Sequence, residues 1–199
     1  MDPAVVVAVV GATVGGYLLG SLPVAVAVGR RHGVDPRTVG DGNPGYWNTK
    51  EALGPRAALP VLAGDTLKGT AAGAVGALAA AALGGGRPVV YMAVGAAMIG
   101  HAWPLFARFV GGRSILTFAG GMAVISPPTF VVCVALCAAV SLATRAFAYG
   151  ARVGVFTVPL VQLVVDGWRW AAATFLLMAV IGLRFAMAAV AGHRRPSRP

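Results

Sequence analysis

Four short polar runs interrupt an otherwise apolar chain, and each holds residue types that handle anions or protons. The longest reads Gly40-Asp41-Gly42-Asn43-Pro44-Gly45-Tyr46-Trp47-Asn48. Gly40, Gly42 and Gly45 free the backbone for left-handed turns and let its N–H groups approach a ligand, as anion-binding nests do. The same glycines also suit a plain turn-rich loop. Asp65 and Lys68 lie at i and i+3 inside an apolar run, where a helix would place them within pairing distance. They read either as a self-satisfied ion pair or as groups facing a cavity, since ionisable residues in hydrocarbon turn toward a bundle interior. His101, in Gly100-His101-Ala102-Trp103-Pro104, can carry a proton or serve as a hydrogen-bonded strut. Gly111-Gly112-Arg113-Ser114 offers an anion a cation and a helix N-terminus, or makes a simple turn.

The segments that must position these residues are membrane spans. Of 199 residues, 58% are hydrophobic and 11% charged, with a mean hydropathy of +0.79. That is too little charge to cover a soluble surface. Apolar runs near the roughly twenty residues needed to cross hydrocarbon cover 4–28, 57–83, 89–109 and 170–190. The stretch 115–142 is too long for one straight span and breaks at Pro127-Pro128, where two backbone donors are missing, and residues 152–165 add a short span. The expected fold is therefore all-α: a polytopic membrane bundle of about seven transmembrane helices forming one integral domain over 1–199. The first run lacks a basic stretch before it and is too long for a signal-peptide core, so it counts as a span.

Charge sets the orientation. With the N-terminus outside and the C-terminus cytoplasmic, thirteen of the sixteen Lys and Arg residues fall on inner segments, Arg87 and Arg169 fall outside, and Lys68 stays within a span. This is the asymmetry expected of a cell-membrane protein. It also gathers the four polar runs on the cytoplasmic side, as one shared site requires. The bases are not interleaved with aromatics, so the net charge of +10 does not point to nucleic acid. The basic tail from Gly192 to Arg198 reads instead as a contact to anionic headgroups of membrane lipids. Cys133 and Cys137, four apart in one apolar run with no His or carboxylate beside them, call for neither a disulfide nor a metal.

Taken together, these runs resemble the bacterial acyl-phosphate:glycerol-3-phosphate acyltransferases, small polytopic enzymes of phospholipid synthesis. The resemblance rests on Gly20-Ser21-Leu22-Pro23, the Gly40 to Asn48 loop, Leu53-Gly54, Asp65-Thr66-Leu67-Lys68-Gly69, Gly100-His101 with Pro104 and Phe106, and Gly111-Gly112 through Thr117. It implies a seven-helix fold that moves an acyl group from acyl phosphate to the sn-1 hydroxyl of glycerol 3-phosphate, with no cofactor. Phosphate groups would be held by the glycine loop and basic residues, and the acyl chain by grooves between helices. On this reading Asp41 and His101 are the catalytic candidates. Gly40, Gly42, Asn43, Gly45, Asn48, Lys50, Lys68, Gly111, Gly112 and Arg113 are the substrate-binding candidates.

The chain departs from the family at several of these positions. Asp41 stands where the family has serine, Glu51 where it has arginine, Arg113-Ser114 where it has Lys-Gly, and Phe185 and Ala188 where it has His and Asn. Two added carboxylates would repel a phosphate, so the expectation is weakened transfer to glycerol 3-phosphate and an acceptor of altered, less anionic character. The partners are then acyl phosphate or another acyl donor and a small alcohol or phosphate acceptor. A non-catalytic relative that binds a lipid or a partner enzyme through the same pocket, or a small transporter using Asp65 and Lys68, are the competing readings.

The charge asymmetry generates a direct test of orientation. In a variant lacking Cys133 and Cys137, a single cysteine at position 87 is expected to react with an impermeant maleimide in intact cells, and one at position 43 only after lysis. Strong labelling at 43 in intact cells would reverse the topology.

Overall fold

A computed structural model describes residues 2–193 as helices joined by short turns, with no strand among them. Residues 194–199, with Arg194, Arg195 and Arg198 of the basic tail, lie outside the described residues. Helix α1 (Pro3–Gly20) starts where the Asp2 carboxylate accepts a hydrogen bond from the Ala4 N–H at 2.9 Å, with Pro3 in the first turn. Both features satisfy a helix N-terminus. It yields at Ser21-Leu22-Pro23 to α2 (Val24–Arg31), and the two together make a 29-residue apolar stretch. Helix α3 (Tyr46–Leu53) is short and follows the glycine loop. Helix α4 (Pro55–Leu83), 29 residues long, reaches roughly 43 Å at 1.5 Å per residue. Helix α5 (Arg87–Ala102) runs into a 3-10 turn at Leu105–Ala107.

Helix α6 (Ile115–Ile125) and α7 (Pro127–Thr144) are separated at Ser126, because Pro127 and Pro128 fit only a first helical turn. The expected short span at 152–165 is instead a pair that starts earlier, α8 (Phe147–Phe156) and α9 (Val158–Val165), bent by 42°. Pro159 explains the bend, since its ring lacks an N–H and crowds the carbonyl four residues before it. Helix α10 (Trp168–His193) closes the described chain. Among the described residues, five stretches are long and apolar enough to cross a membrane, or six if the bent pair is one span. The expectation of about seven counts α6 as well, whose 11 residues reach only about 16 Å of a hydrocarbon layer near 30 Å.

Helix α5 is the centre of the bundle, packed between α1, α4, α6 and α10. Val94 and Met98 from it meet Phe118 and Met122 of α6 and Leu177 and Ile181 of α10 in the main apolar cluster. In lipid, apolar side chains gain little by leaving solvent, so close backbone approach and hydrogen bonds take over the stabilising role. Two crossings show this. A methyl group on Gly69 would strike the Thr117 carbonyl and one on Gly120 the Thr66 carbonyl, so α4 and α6 touch through bare backbone. The Thr70 hydroxyl bonds the Gly120 carbonyl at 3.0 Å in the same crossing. At the far end of α5, Arg87 pairs with Asp166 at 2.9 Å, and buried Gln162 bonds the Tyr91 hydroxyl at 3.0 Å, tying α9 and α10 to α5.

The α4–α6 crossing predicts a sharp contrast between glycines. Gly120→Ala is expected to lower the melting temperature in detergent, since overpacking costs about 1–3 kcal/mol. Gly182→Ala, with open space where the methyl would sit, is expected to leave it unchanged or raise it slightly. Equal stability of the two variants would refute the close-contact reading.

Candidate functional site

Where α1 hands over to α2, the ends of α1 and α5, the middle of α4 and the turn before α6 enclose a cleft of about 250 Å³, open side included. Its polar lining is Asp65, Lys68 and His101; its walls include Pro23, Pro44, Pro104, Val110, Gly111 and Gly112. All three ionisable groups are more than nine-tenths buried. Lys68 Nζ lies 2.8 Å from Asp65 Oδ1 and donates to the Leu22 carbonyl at 3.3 Å. The same carbonyl accepts the Val24 N–H at 3.0 Å across the Leu22-Pro23 break. His101 Nδ1 stands 3.6 Å from the same Asp65 oxygen, just beyond hydrogen-bond reach, and has no partner among the described residues. One carboxylate thus faces both a cation and an imidazole.

The other wall is built around Gly111 and Gly112. The Gly112 N–H donates to the His101 carbonyl at 3.1 Å, and a side chain at Gly112 would collide with His101 Nε2. Only glycine leaves that imidazole nitrogen room. Arg184 reaches over from α10, its Nε bonding the Gly112 carbonyl at 3.1 Å and its Nη2 the Gly111 carbonyl at 2.6 Å. Ser114 Oγ bonds the Met98 carbonyl at 2.7 Å, pinning the start of α6 to α5. The turn that carries Gly111 and Gly112 is therefore fixed from three sides.

The glycine loop covers the mouth. Asn48, buried on α3, donates to the carbonyls of Pro36 at 2.7 Å and Val39 at 3.0 Å, which folds the loop back over its own helix. Gly40 takes a φ of +57°, and a methyl there would overlap the Asn48 amide oxygen, so the loop and its strut need glycine at 40. Arg37 bonds the Ala107 carbonyl at 3.4 Å and also pairs with Asp35. Its guanidinium hydrogen bonds hold the Asp35 carboxyl down at about 2.

The sequence candidates divide as follows. Lys68, His101, Gly111 and Gly112 line the cleft. Gly40, Gly42, Asn43 and Gly45 belong to the loop that contributes Pro44 to the wall. Asn48 is a strut of that loop. Asp41 does not line the cleft: its carboxylate is 2.9 Å from Arg113 Nη2, and Arg113 in turn lies over the Phe185 ring at 4.6 Å. Lys50 sits over the Trp47 ring at 5.1 Å on α3, off the cleft, and Glu51 beside it is exposed. Two participants were not among the candidates. Asp65 read with Lys68 as an ion pair or as a group facing a cavity and was not placed in the site, although its position between Lys68 and His101 makes it the hub. Arg184 carried a signal too, being a lone arginine close to the end of an apolar run.

The family described as glycerol-3-phosphate acyltransferase matches residues 10–195. Among curated proteins, the glycerol-3-phosphate acyltransferase of Rubrobacter xylanophilus is 45% identical over 65% of this chain and 63% of its own length. That of Exiguobacterium sibiricum is 44% identical over 62% and 58%, so each of these two matches spans less than two thirds of the relative. That of Thiobacillus denitrificans is 36% identical over 84% of both chains. The crystal structure of PlsY (YgiH), an integral membrane glycerol 3-phosphate acyltransferase, in its glycerol 3-phosphate form has a similar fold. It superposes with a TM-score of 0.77 at 24% identity, covering 96% of each chain. Its lysophosphatidic acid form gives 0.75 at 23%, covering 94% of this chain and 93% of that one.

The shared Asp65 oxygen makes a prediction about stability. Lys68→Met would leave a buried carboxylate without its cation and is expected to cost about 3–5 kcal/mol, whereas adding Asp65→Leu should recover most of that loss. Thermal unfolding in detergent measures both. A double variant no more stable than Lys68→Met would show that the pair is not the feature being broken.

Proposed function

The chain belongs to the glycerol-3-phosphate acyltransferase family and is an integral membrane protein; from that premise we propose that it transfers an acyl group to glycerol 3-phosphate in lipid synthesis, with acyl phosphate as donor. The observation that carries this reading is the buried Asp65, Lys68 and His101 group at the base of a cleft in an otherwise apolar bundle. An apolar bundle tolerates such a cluster at a considerable energetic cost, and sites of chemistry are where that cost is met.

In the proposed step the sn-1 hydroxyl oxygen attacks the acyl carbon. A new ester C–O bond forms, the bond from that carbon to the phosphate oxygen breaks, and phosphate leaves with the electron pair. His101 takes the hydroxyl proton, and Asp65 stabilises the imidazolium that results, a division of labour familiar from other carboxylate–histidine pairs. Lys68 and the fixed Gly111-Gly112 turn bear on the negative charge that develops on the substrates. The catalysis takes place at the cytoplasmic face of the plasma membrane, on the side to which thirteen of sixteen basic residues are assigned by charge.

Geometry also bears on the acceptor. The repulsion expected from Asp41 and Glu51 depends on both carboxylates facing the substrate, yet Asp41 is paired with Arg113 and Glu51 is exposed away from the cleft lining. Glycerol 3-phosphate therefore stays the favoured acceptor over a less anionic alcohol. The test is transfer from palmitoyl phosphate to radiolabelled glycerol 3-phosphate by the protein in nanodiscs. Turnover within roughly 1–10³ per second is expected, falling about 10²- to 10⁴-fold in His101→Ala. A folded wild-type protein that makes no acylated product would remove this reading in favour of a binding relative.

A further inference from the structure

Three of the cations near the cleft differ in how they are neutralised. Lys68 shares a buried pair with Asp65, and Arg184 is spent on the backbone carbonyls of Gly111 and Gly112. Arg113 alone of the three has a partner that water reaches: the Asp41 side chain is 47% exposed. Such half-exposed pairs contribute little net stability, so this partner is the easiest of the three to exchange.

The two ends of that pair are held differently. The backbone around Arg113 is pinned, by the Gly112 N–H on the His101 carbonyl and by the Ser114 hydroxyl on the Met98 carbonyl, while Phe185 packs against one face of the guanidinium. Asp41 sits between Gly40 and Gly42, both in left-handed conformations with φ of +57° and +70°. Its other oxygen accepts the N–H of Asn43, two residues on, at 3.0 Å. Three residues beyond Asp41, Pro44 lines the cleft, and so does Gly112, just before Arg113. The ion pair therefore ties together two separate segments of the lining.

We infer that Asp41 is an internal stand-in for the acceptor's phosphate: its carboxylate occupies Arg113 and latches the glycine loop across the cleft until a phosphate-bearing acceptor displaces it. A phosphate dianion brings more charge and can engage the guanidinium fork through two oxygens, so it outcompetes a single, hydrated carboxylate. This rests on the proposed reaction for the identity of the anion, but not for the latch itself. Asp41 is thus a specificity-determining residue, one that admits anionic acceptors and keeps the mouth closed to uncharged alcohols.

The experiment is calorimetric binding of glycerol 3-phosphate, inorganic phosphate and glycerol to the full chain in nanodiscs, for wild type, Asp41→Asn, Asp41→Ser and the exchanged pair Asp41→Arg with Arg113→Asp. Loss of the competing carboxylate is expected to tighten glycerol 3-phosphate and phosphate by about two- to fivefold in both single variants, the size set by a half-exposed ion pair. The KM for glycerol 3-phosphate should fall by a similar factor while that for the acyl donor does not. The exchanged pair keeps a salt bridge but faces the ligand with a carboxylate, so it should melt like wild type and lose phosphate binding. Unchanged or weaker binding in Asp41→Asn and Asp41→Ser, no binding by any form, or wild-type affinity in the exchanged pair would each overturn the latch. Tighter phosphate binding by variants of a protein that transfers no acyl group would uphold the latch and remove the acyltransferase reading. Transfer with no change in affinity would do the reverse.

Discussion

A single buried carboxylate, Asp65, is the constraint on which the rest of the site depends. Its oxygen lies 2.8 Å from Lys68 Nζ and 3.6 Å from His101 Nδ1, so one negative charge serves a cation on its own helix and an imidazole on the next. Charges at this depth are stable only when compensated, and losing either member of a buried pair costs far more than the pair contributes. The helices are therefore not free to slide: α4 must present residues 65 and 68 to the end of α5, and the Leu22-Pro23 break must lie where the Leu22 carbonyl meets Lys68.

Close backbone packing makes that arrangement possible. Gly69 follows Lys68 and rests on the Thr117 carbonyl, while Gly100 precedes His101 and rests against the Tyr17 carbonyl and Ser21. Glycines thus sit next to both ionisable residues, and they allow α1, α4, α5 and α6 to approach until short side chains can share one cleft. The same economy of space governs Gly112, which borders His101 Nε2. Any side chain there would collide with that imidazole nitrogen.

The all-helical membrane bundle was legible in the sequence, because long apolar spans are a coarse signal that lipid enforces strongly. The glycine loop, Lys68, His101 and the Gly111-Gly112 turn were identifiable as motif residues. Other features depended on tertiary contacts that no spacing encodes. Asp41 read as a carboxylate opposing a phosphate, yet Arg113, seventy-two positions on, pairs with it. Lys50 read as a phosphate ligand, but the helical turn of α3 directs it onto Trp47. The bent pair α8 and α9 read as one short span because apolar composition does not register where a proline interrupts the hydrogen-bond ladder.

The claim that Asp65 organises the chemistry, rather than merely holding two helices together, is tested most directly by Asp65→Asn in nanodiscs, with acyl transfer and melting temperature measured on the same preparation. Asparagine keeps the size and hydrogen-bonding capacity of the side chain and removes its charge. The expected result is a protein that still folds but melts at a lower temperature, because Lys68 loses its counter-charge, and whose kcat falls by roughly 10²- to 10⁴-fold, because His101 no longer has a carboxylate to stabilise its protonated form. A folded Asp65→Asn protein with wild-type kcat would contradict the account.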